Sequence, residues 1–229
     1  MPSLPLDAFW LSVQVAAWTT LLLAPLGLLL GRWLAFSRWR GRPWLEAALL
    51  LPLVLPPTVI GYYLLLVLSP AAPFGGALAA LVGQPLVFSF PGLVLASVVV
   101  NLPFAVQPVQ QAYAALPSNV REAAIVSGLT PARTFLAVEL PLTWTGLFGA
   151  SALVFAHTLG EFGVVLMVGG NIEGVTRTLS IAIYDDVQAF DMRGAGLSSL
   201  ALVLFSLLAL AAVRLAAGRA EEPRAGLPR

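Results

Sequence analysis

Four stretches of the 229-residue chain carry no Asp, Glu, Lys or Arg: residues 8–31, 47–120, 140–160 and 194–213. Each is dominated by Leu, Val, Ala and Phe, and a helix needs roughly 20 mostly apolar residues to cross a bilayer. The second run is long enough for more than one crossing. It is punctuated by Pro70, Pro73, Gly75, Gly76, Gly83 and Pro85, which divide it into a helix at about 45–68, a short apolar piece at 77–88 and a helix at about 92–113. About a dozen residues do not span, so 77–88 reads as an external or re-entrant segment. The pattern predicts five spans, at about 8–31, 45–68, 92–113, 141–161 and 194–214, and hence an all-α integral membrane protein. Proline inside a helix removes a donor and kinks the chain, so a bend is expected in the first span near Pro25.

Composition agrees. The chain is 59% apolar and 10% charged, against about 45–50% and about 25% in soluble domains. The first run reads as a retained helix and not a cleavable leader, because Asp7 stands where a basic segment is expected and no small-x-small site closes it.

Orientation follows from arginine. Arg32, Arg38, Arg40 and Arg42 crowd the segment after the first span, and short Arg-rich loops face the cytoplasm. With five spans and the N-terminus outside, ten of the twelve arginines lie inside, and only Arg177 and Arg193 lie outside. The stretch 215–229 then reads as a short cytoplasmic tail. Between the last two spans, Leu179, Ile181, Ile183 and Tyr184 amid acidic residues suggest a short interfacial helix on the outer face. Small residues at four-residue spacing, Gly146 with Ala150 and Ala152 with Ala156, offer helix-packing surface on the fourth span.

Absences narrow the chemistry. There is no lysine, so a nucleotide-binding loop ending in Gly-Lys-Ser/Thr is excluded. There is no cysteine and one histidine, His157, which excludes disulfides and the usual zinc motifs. No cofactor is expected in this chain. If ATP drives its work, ATP-Mg must be bound by a partner.

A charged island sits between the third and fourth spans, within a loop at 114–140. It holds Glu122-Ala123-Ala124, then Gly128, then Val138 and Leu140-Pro141. Ala123 and Ala124 combine helix propensity with little bulk, and Gly128 is able to end a helix at positive φ. Thr130 and Pro131 are suited to the N-cap and first position of another turn. Arg121, Glu122 and Arg133 supply charged contacts. An amphipathic helix lying at the headgroups shows some of these features. The full spacing, however, resembles the EAA loop of ABC-importer permeases, a coupling helix that seats in a groove of the ATP-hydrolysing subunit.

Two further stretches sharpen the resemblance. Leu51-Pro52-Leu53-Val54-Leu55-Pro56-Pro57-Thr58-Val59-Ile60-Gly61-Tyr62 resembles the second-span signature of molybdate permeases. Leu159-Gly160-Glu161-Phe162-Gly163, with Asn171-Ile172 and Thr176-Arg177-Thr178, resembles the segment those permeases carry after the EAA loop. Sulfate permeases resemble both less closely. The likeness covers most of residues 10–215. Its departure is the run Arg121 to Gly128, where molybdate relatives often end in Arg-Thr-Leu-Gly.

The resemblance implies a MetI-like ABC permease fold in the cell inner (plasma) membrane, working as a homodimer in membrane lipid. It also implies two ABC ATPase subunits, an extracytoplasmic oxyanion-binding protein, and no nucleic acid. Alternating access would import an oxyanion, molybdate first, with sulfate or tungstate as alternatives. The residues suggest a pathway as well. Pro56 and Pro57 break the helical ladder, Thr58 and Gly61 offer a hydroxyl and close backbone approach, and Asn101 and Gln107 lie beside Pro103 and Pro108. Glu161 and Gly163 follow at the outer end of the fourth span. A proline-kinked packing helix is the competing reading of the same residues. His157 reads as a hydrogen-bonded packing residue. An ion-coupled secondary transporter should bury ionisable residues in its spans, and runs 8–31 and 47–120 have none. No paired-carboxylate, metal or nucleophile set marks a membrane-embedded enzyme.

Overall fold

The computed structural model describes residues 4–221, and every regular element among them is helical. Helix α1 (Leu6–Phe36) runs unbroken through Pro25. Its buried stripe of Ala8, Ser12, Val15, Thr19, Leu23, Gly27, Gly31 and Leu34 keeps helical three- and four-residue steps. That stripe lies on α5 (Phe90–Ala114), the hub of the bundle, and on α8 (Leu140–Gly160). The seam is close because the α1 side has no Cβ at two positions. A methyl at Gly27 would meet the Ala105 carbonyl oxygen at 2.6 Å, and one at Gly31 would meet Val109 Cγ1 at 2.8 Å. Helices in lipid associate through such van der Waals approach. The same device recurs on α8, where a methyl on Gly146 would lie 2.5 Å from Ala112 Cβ and Ala150 is buried. Ala152 and Ala156 are only half-buried.

Several boundaries differ from the sequence reading, each for a local reason. The span at 45–68 is not one helix. It is α2 (Arg42–Val54) and α3 (Pro57–Leu68), bent by 111° at the break. Pro56 and Pro57 lack the N–H groups that the carbonyls of Pro52 and Leu53 would accept from. The 77–88 region holds a short helix, α4 (Pro73–Val82), closed by Gly83 at φ 78°. The fourth span starts ten residues before Pro141. It begins with α7 (Pro131–Thr134), passes through a π-turn at Phe135–Glu139 and continues into α8 without a gap. A proline ring clashes with the carbonyl four residues back, and the wider π-turn just before Pro141 accommodates it.

The residues beyond α8 form a short α9 (Gly163–Gly169), a loop, and α10 (Leu179–Gln188). The interfacial expectation for α10 needs correcting. Leu179 and Ile181 are fully buried, with Ile181 clustered on Val15, Leu93 and Val165, so α10 closes the bundle instead of lying on lipid. Helix α11 runs from Met192 to Glu221, so residues 215–221 of the expected tail continue the helix. An Ala-, Leu- and Arg-rich run favours that continuation. Residues 222–229 lie outside the described part. Helix α11 packs on α8 and α10 and exposes Leu200, Val203, Leu204, Leu207 and Leu208, a face suited to lipid. Among the described residues, four helices are long and apolar enough to cross a membrane, and five if the bent α2–α3 pair counts as one span.

Candidate functional site

The charged loop folds into α6 (Ser118–Val126) and α7, joined at Gly128. Gly128 has φ 76°. Its N–H donates to the Ile125 carbonyl at 2.9 Å, and the Leu129 N–H donates to the Ala124 carbonyl at 3.1 Å. These are the two bonds of a Schellman closure, which satisfies the carbonyls a helix end otherwise orphans. Thr130 then caps α7, its hydroxyl accepting from the Arg133 N–H at 3.4 Å, with Pro131 in the first helical position. The turn between the two helices is thus fixed at both ends.

The residues singled out in this loop divide by face. Glu122, Ala123, Gly128, Pro131 and Arg133 are exposed, beside Ile125 at 64% and Val126 at 88% exposure. Two do not face outward. Ala124 is 6% exposed on the inner side of α6, which rests on α7 and the π-turn. Arg121 turns inward, its guanidinium 3.9 Å from the Phe36 ring centroid and its Nε 3.0 Å from Glu139 Oε1. Ala124 and Arg121 thus differ from the outward contacts expected of them from the sequence. A helical turn brings positions 120, 121 and 124 onto one side, and that is the side the bundle covers. Glu139 and its second partner, Arg32, were missed altogether, because 107 residues separate them in the chain.

The second region is a cavity of about 220 Å³ where two helix breaks meet. One break is Leu55–Pro56 between α2 and α3, and the other is Glu161–Phe162 between α8 and α9. They are held together because a methyl on Gly163 would lie 2.7 Å from Pro57 Cβ, and one on Gly61 would lie 2.5 Å from Met167 Cβ. Gly61 therefore serves the α3–α9 contact, which replaces its expected role in approaching a substrate. Pro52, Leu53, Pro57, Phe104, His157 and Glu161 line the cavity. The Pro52 and Leu53 carbonyls are the two freed by the prolines. Pro56, Pro57 and Thr58 are exposed on the outer surface of the break.

The polar side chains lining this cavity, His157 and Glu161, are tied to Asn101 buried beside it. Asn101 is fully buried on α5 and donates from Nδ2 to the Ser97 carbonyl at 2.8 Å, which aims its Oδ1 at His157 Nδ1, 3.1 Å away. A carbonyl oxygen only accepts, so the His157 Nδ1 that faces it bears a proton. The ring lies on Phe104 with centroids 4.4 Å apart. Glu161 accepts from the Val164 N–H at 3.4 Å, capping α9, and its other oxygen is 3.8 Å from His157 Nδ1. Gln107 does not join this group. It lines a separate groove of about 360 Å³ between α2 and α5, with Arg42, Glu46, Gln110 and Gln111. There Glu46 accepts from Arg42 at 2.8 Å and from Gln110 at 2.7 Å.

Broken spans are tolerated at membrane depth only where the freed backbone faces protein or a water-filled path. Such pairs of discontinuous helices mark transport proteins. A multi-pass helical bundle with two breaks at one polar cavity and a rigidly closed loop at its end belongs to the class of membrane permeases. Residues 25–224 match the family described as the inner membrane component of binding-protein-dependent transport systems, and the chain belongs to that family.

Its relatives include a molybdenum transport system permease protein of Azotobacter vinelandii, 44% identical over 91% of this chain and 92% of that protein. A putative molybdenum transport system permease protein of Bacillus subtilis is 38% identical over 76% of this chain and 77% of its own length. A probable sulfate transport system permease protein of Chlorella vulgaris is 32% identical over 89% of this chain and 76% of that one. Among solved structures, a bacterial alginate ABC transporter, in complex with an alginate pentasaccharide-bound periplasmic protein, matches the fold. Its TM-score is 0.77 at 14% identity, covering 95% of this chain and 79% of that one.

Proposed function

We propose that this chain is the permease subunit of an ATP-driven importer for molybdate, working as a homodimer with two ATPase subunits and an extracytoplasmic binding protein. The 44% identity to a molybdenum permease across 91% of the chain is the observation that carries the substrate. With the N-terminus outside, the α6–α7 loop lies in the cytoplasm, where Ile125 and Val126 stand exposed beside Glu122 and Ala123. Exposed aliphatic side chains on a fixed helical turn suit a groove in the ATPase. ATP closes the ATPase pair, the coupling helices move together, and the path opens outward to receive the oxyanion. Hydrolysis reverses the motion.

The path runs between two copies past the α2–α3 break. Thr58 and Tyr62 are exposed there beside Pro56, and hydroxyls next to a broken helix are poorly suited to lipid. Neutral donors let a dianion pass without trapping it, as fixed cations would. In the cavity behind, the Glu161 carboxylate disfavours an anion. Asn101, Glu161 and Gly163 therefore serve the gate as its supporting wall.

The test is uptake by proteoliposomes holding the permease, its ATPase and its binding protein. Molybdate and tungstate should enter with ATP inside, and sulfate should compete poorly. Equal uptake of sulfate would move the assignment toward the sulfate relatives. Uptake driven by an ion gradient without ATP would remove it from this mechanism.

A further inference from the structure

We propose that Glu139 is the positioning residue through which movement of the coupling loop reaches the spanning helices. Its carboxylate is 1% exposed and is held from two directions. Arg32, near the end of α1, donates from Nε to Oε2 at 2.6 Å and from Nη2 to Oε1 at 3.3 Å. Arg121, on α6, approaches Oε1 with its Nε at 3.0 Å. Glu139 itself is the last residue of the π-turn that leads into α8. One carboxylate thus joins three elements: the first span, the coupling helix and the base of the fourth span.

The surroundings make this a clasp and not a loose surface pair. The Arg121 guanidinium lies on Phe36, and that of Arg32 is 5.2 Å from the Phe135 centroid and 5.8 Å from that of Phe36. Cations over aromatic faces gain attraction while staying partly dry. Phe36 in turn meets the fully buried Tyr113 of α5 edge-on, with centroids 5.8 Å apart. Removing one partner from a buried ion pair leaves an uncompensated charge, so displacement of α6 favours dragging Glu139 over parting from it. The π-turn is where such a pull is absorbed. Its i→i−5 bond, from the Leu140 N–H to the Phe135 carbonyl, is the kind of wider turn that often sits at functional positions. Thr143 donates its hydroxyl to the Glu139 carbonyl at 2.9 Å, carrying the link one turn into α8.

The proposal rests on the reading of α6 as the coupling helix, and the experiment separates the two. The complete complex, in nanodiscs with ATPase and binding protein, is made with wild-type permease, Glu139→Gln and Arg32→Gln. Three quantities are read: copurification of the ATPase, ATP hydrolysis with and without loaded binding protein, and nucleotide-dependent hydrogen exchange in 118–134 and 140–160. Both variants should retain the ATPase and the basal rate. Stimulation by binding protein should fall roughly tenfold, within the range that a lost coupling contact produces. The exchange response should persist in 118–134 and vanish in 140–160. The double variant should be no worse than Glu139→Gln alone, since one contact is being removed twice.

Glu139→Gln with normal stimulation, or a normal response in 140–160, overturns the proposal. Loss of the ATPase from the variants alone also overturns it, by placing Glu139 in the docking surface. A wild-type permease that never retains the ATPase defeats the coupling reading itself, and this proposal with it. Arg32, about one-third exposed, keeps the test open if Glu139→Gln fails to fold.

Discussion

Replacing Gly27 by alanine tests how closely α1 and α5 are joined. The added methyl carbon would lie 2.6 Å from the Ala105 carbonyl oxygen, 3.0 Å from its carbon and 3.1 Å from its Cβ. Optimal carbon contacts are about 3.5–4.0 Å, so the helices must part by close to 1 Å, and a gap of that size forfeits about a quarter to a half of each contact's attraction. Spread along a seam that includes Leu23, Gly31 and Leu34, the loss is about 1–3 kcal/mol, the usual range for overpacking. Alanine also gains about 1 kcal/mol over glycine in helix propensity, which would mask part of the effect.

Gly149 on α8 removes that ambiguity, because a methyl there meets no atom within 4 Å. Gly149→Ala therefore receives the propensity gain alone, and the difference between the two variants isolates the steric term. Reversible unfolding in mixed micelles, followed by the fluorescence of the six tryptophans, should show Gly27→Ala less stable than Gly149→Ala by about 1–3 kcal/mol. Equal stabilities would refute the close approach of α1 and α5 through Gly27.

Three further outcomes are expected. Because the chain has no cysteine, single cysteines at Ser37 and Ser118 should be labelled only from the cytoplasm and one at Glu173 only from outside; external labelling at Ser118 would mean that α4 belongs to a further span. Ala123→Arg should insert normally but weaken retention of the ATPase, whereas Ala124→Arg, at a 6% exposed position, should destabilise the permease itself by about 3 kcal/mol or more; the reverse pattern would invert the two faces of α6. Asn101→Leu leaves the His157 N–H without its acceptor and should lower stability by about 1–3 kcal/mol while impairing uptake, and a silent substitution would deny the polar chain a role.

What could be read from the sequence followed from local chemistry. The apolar runs announced the spans, and Gly128, Thr130 and Pro131 announced a helix end and a helix start, because caps depend on the residues beside them. Pro56 and Pro57 announced a broken ladder, although not that the break would bend the chain by 111°. The bend depends on α9, whose Gly163 receives Pro57, and no rule of spacing connects positions so far apart. Small residues were legible on α8 at Gly146 and Ala150, while Gly27 and Gly31 on α1 carry the same spacing and were passed over. The orientation of Arg121 and Ala124 was not legible either. Which face of a short helix is covered is decided by what lies beneath it, here the π-turn and Phe36.

Glu161 shows how placement changes the meaning of a charge. On an oxyanion's path a carboxylate would be a barrier, and an exposed one at a span's outer end would be a headgroup contact. Here it is 8% exposed, and one oxygen accepts from the Val164 N–H that begins the short α9. A helix start favours negative charge, so the acid's first task is to hold α9 in register against Pro57. Asn101 supports the same wall from α5 by fixing His157 over Phe104. The cavity beside them is lined mainly by apolar residues and prolines, with Glu161 and His157 as its polar side chains. On the proposed path, an oxyanion would meet neutral donors on the exposed side of the break, at Thr58 and Tyr62. In the proposed arrangement the break would give the path its polar surface, and the buried acid would hold that surface in place through α9 without touching the cargo.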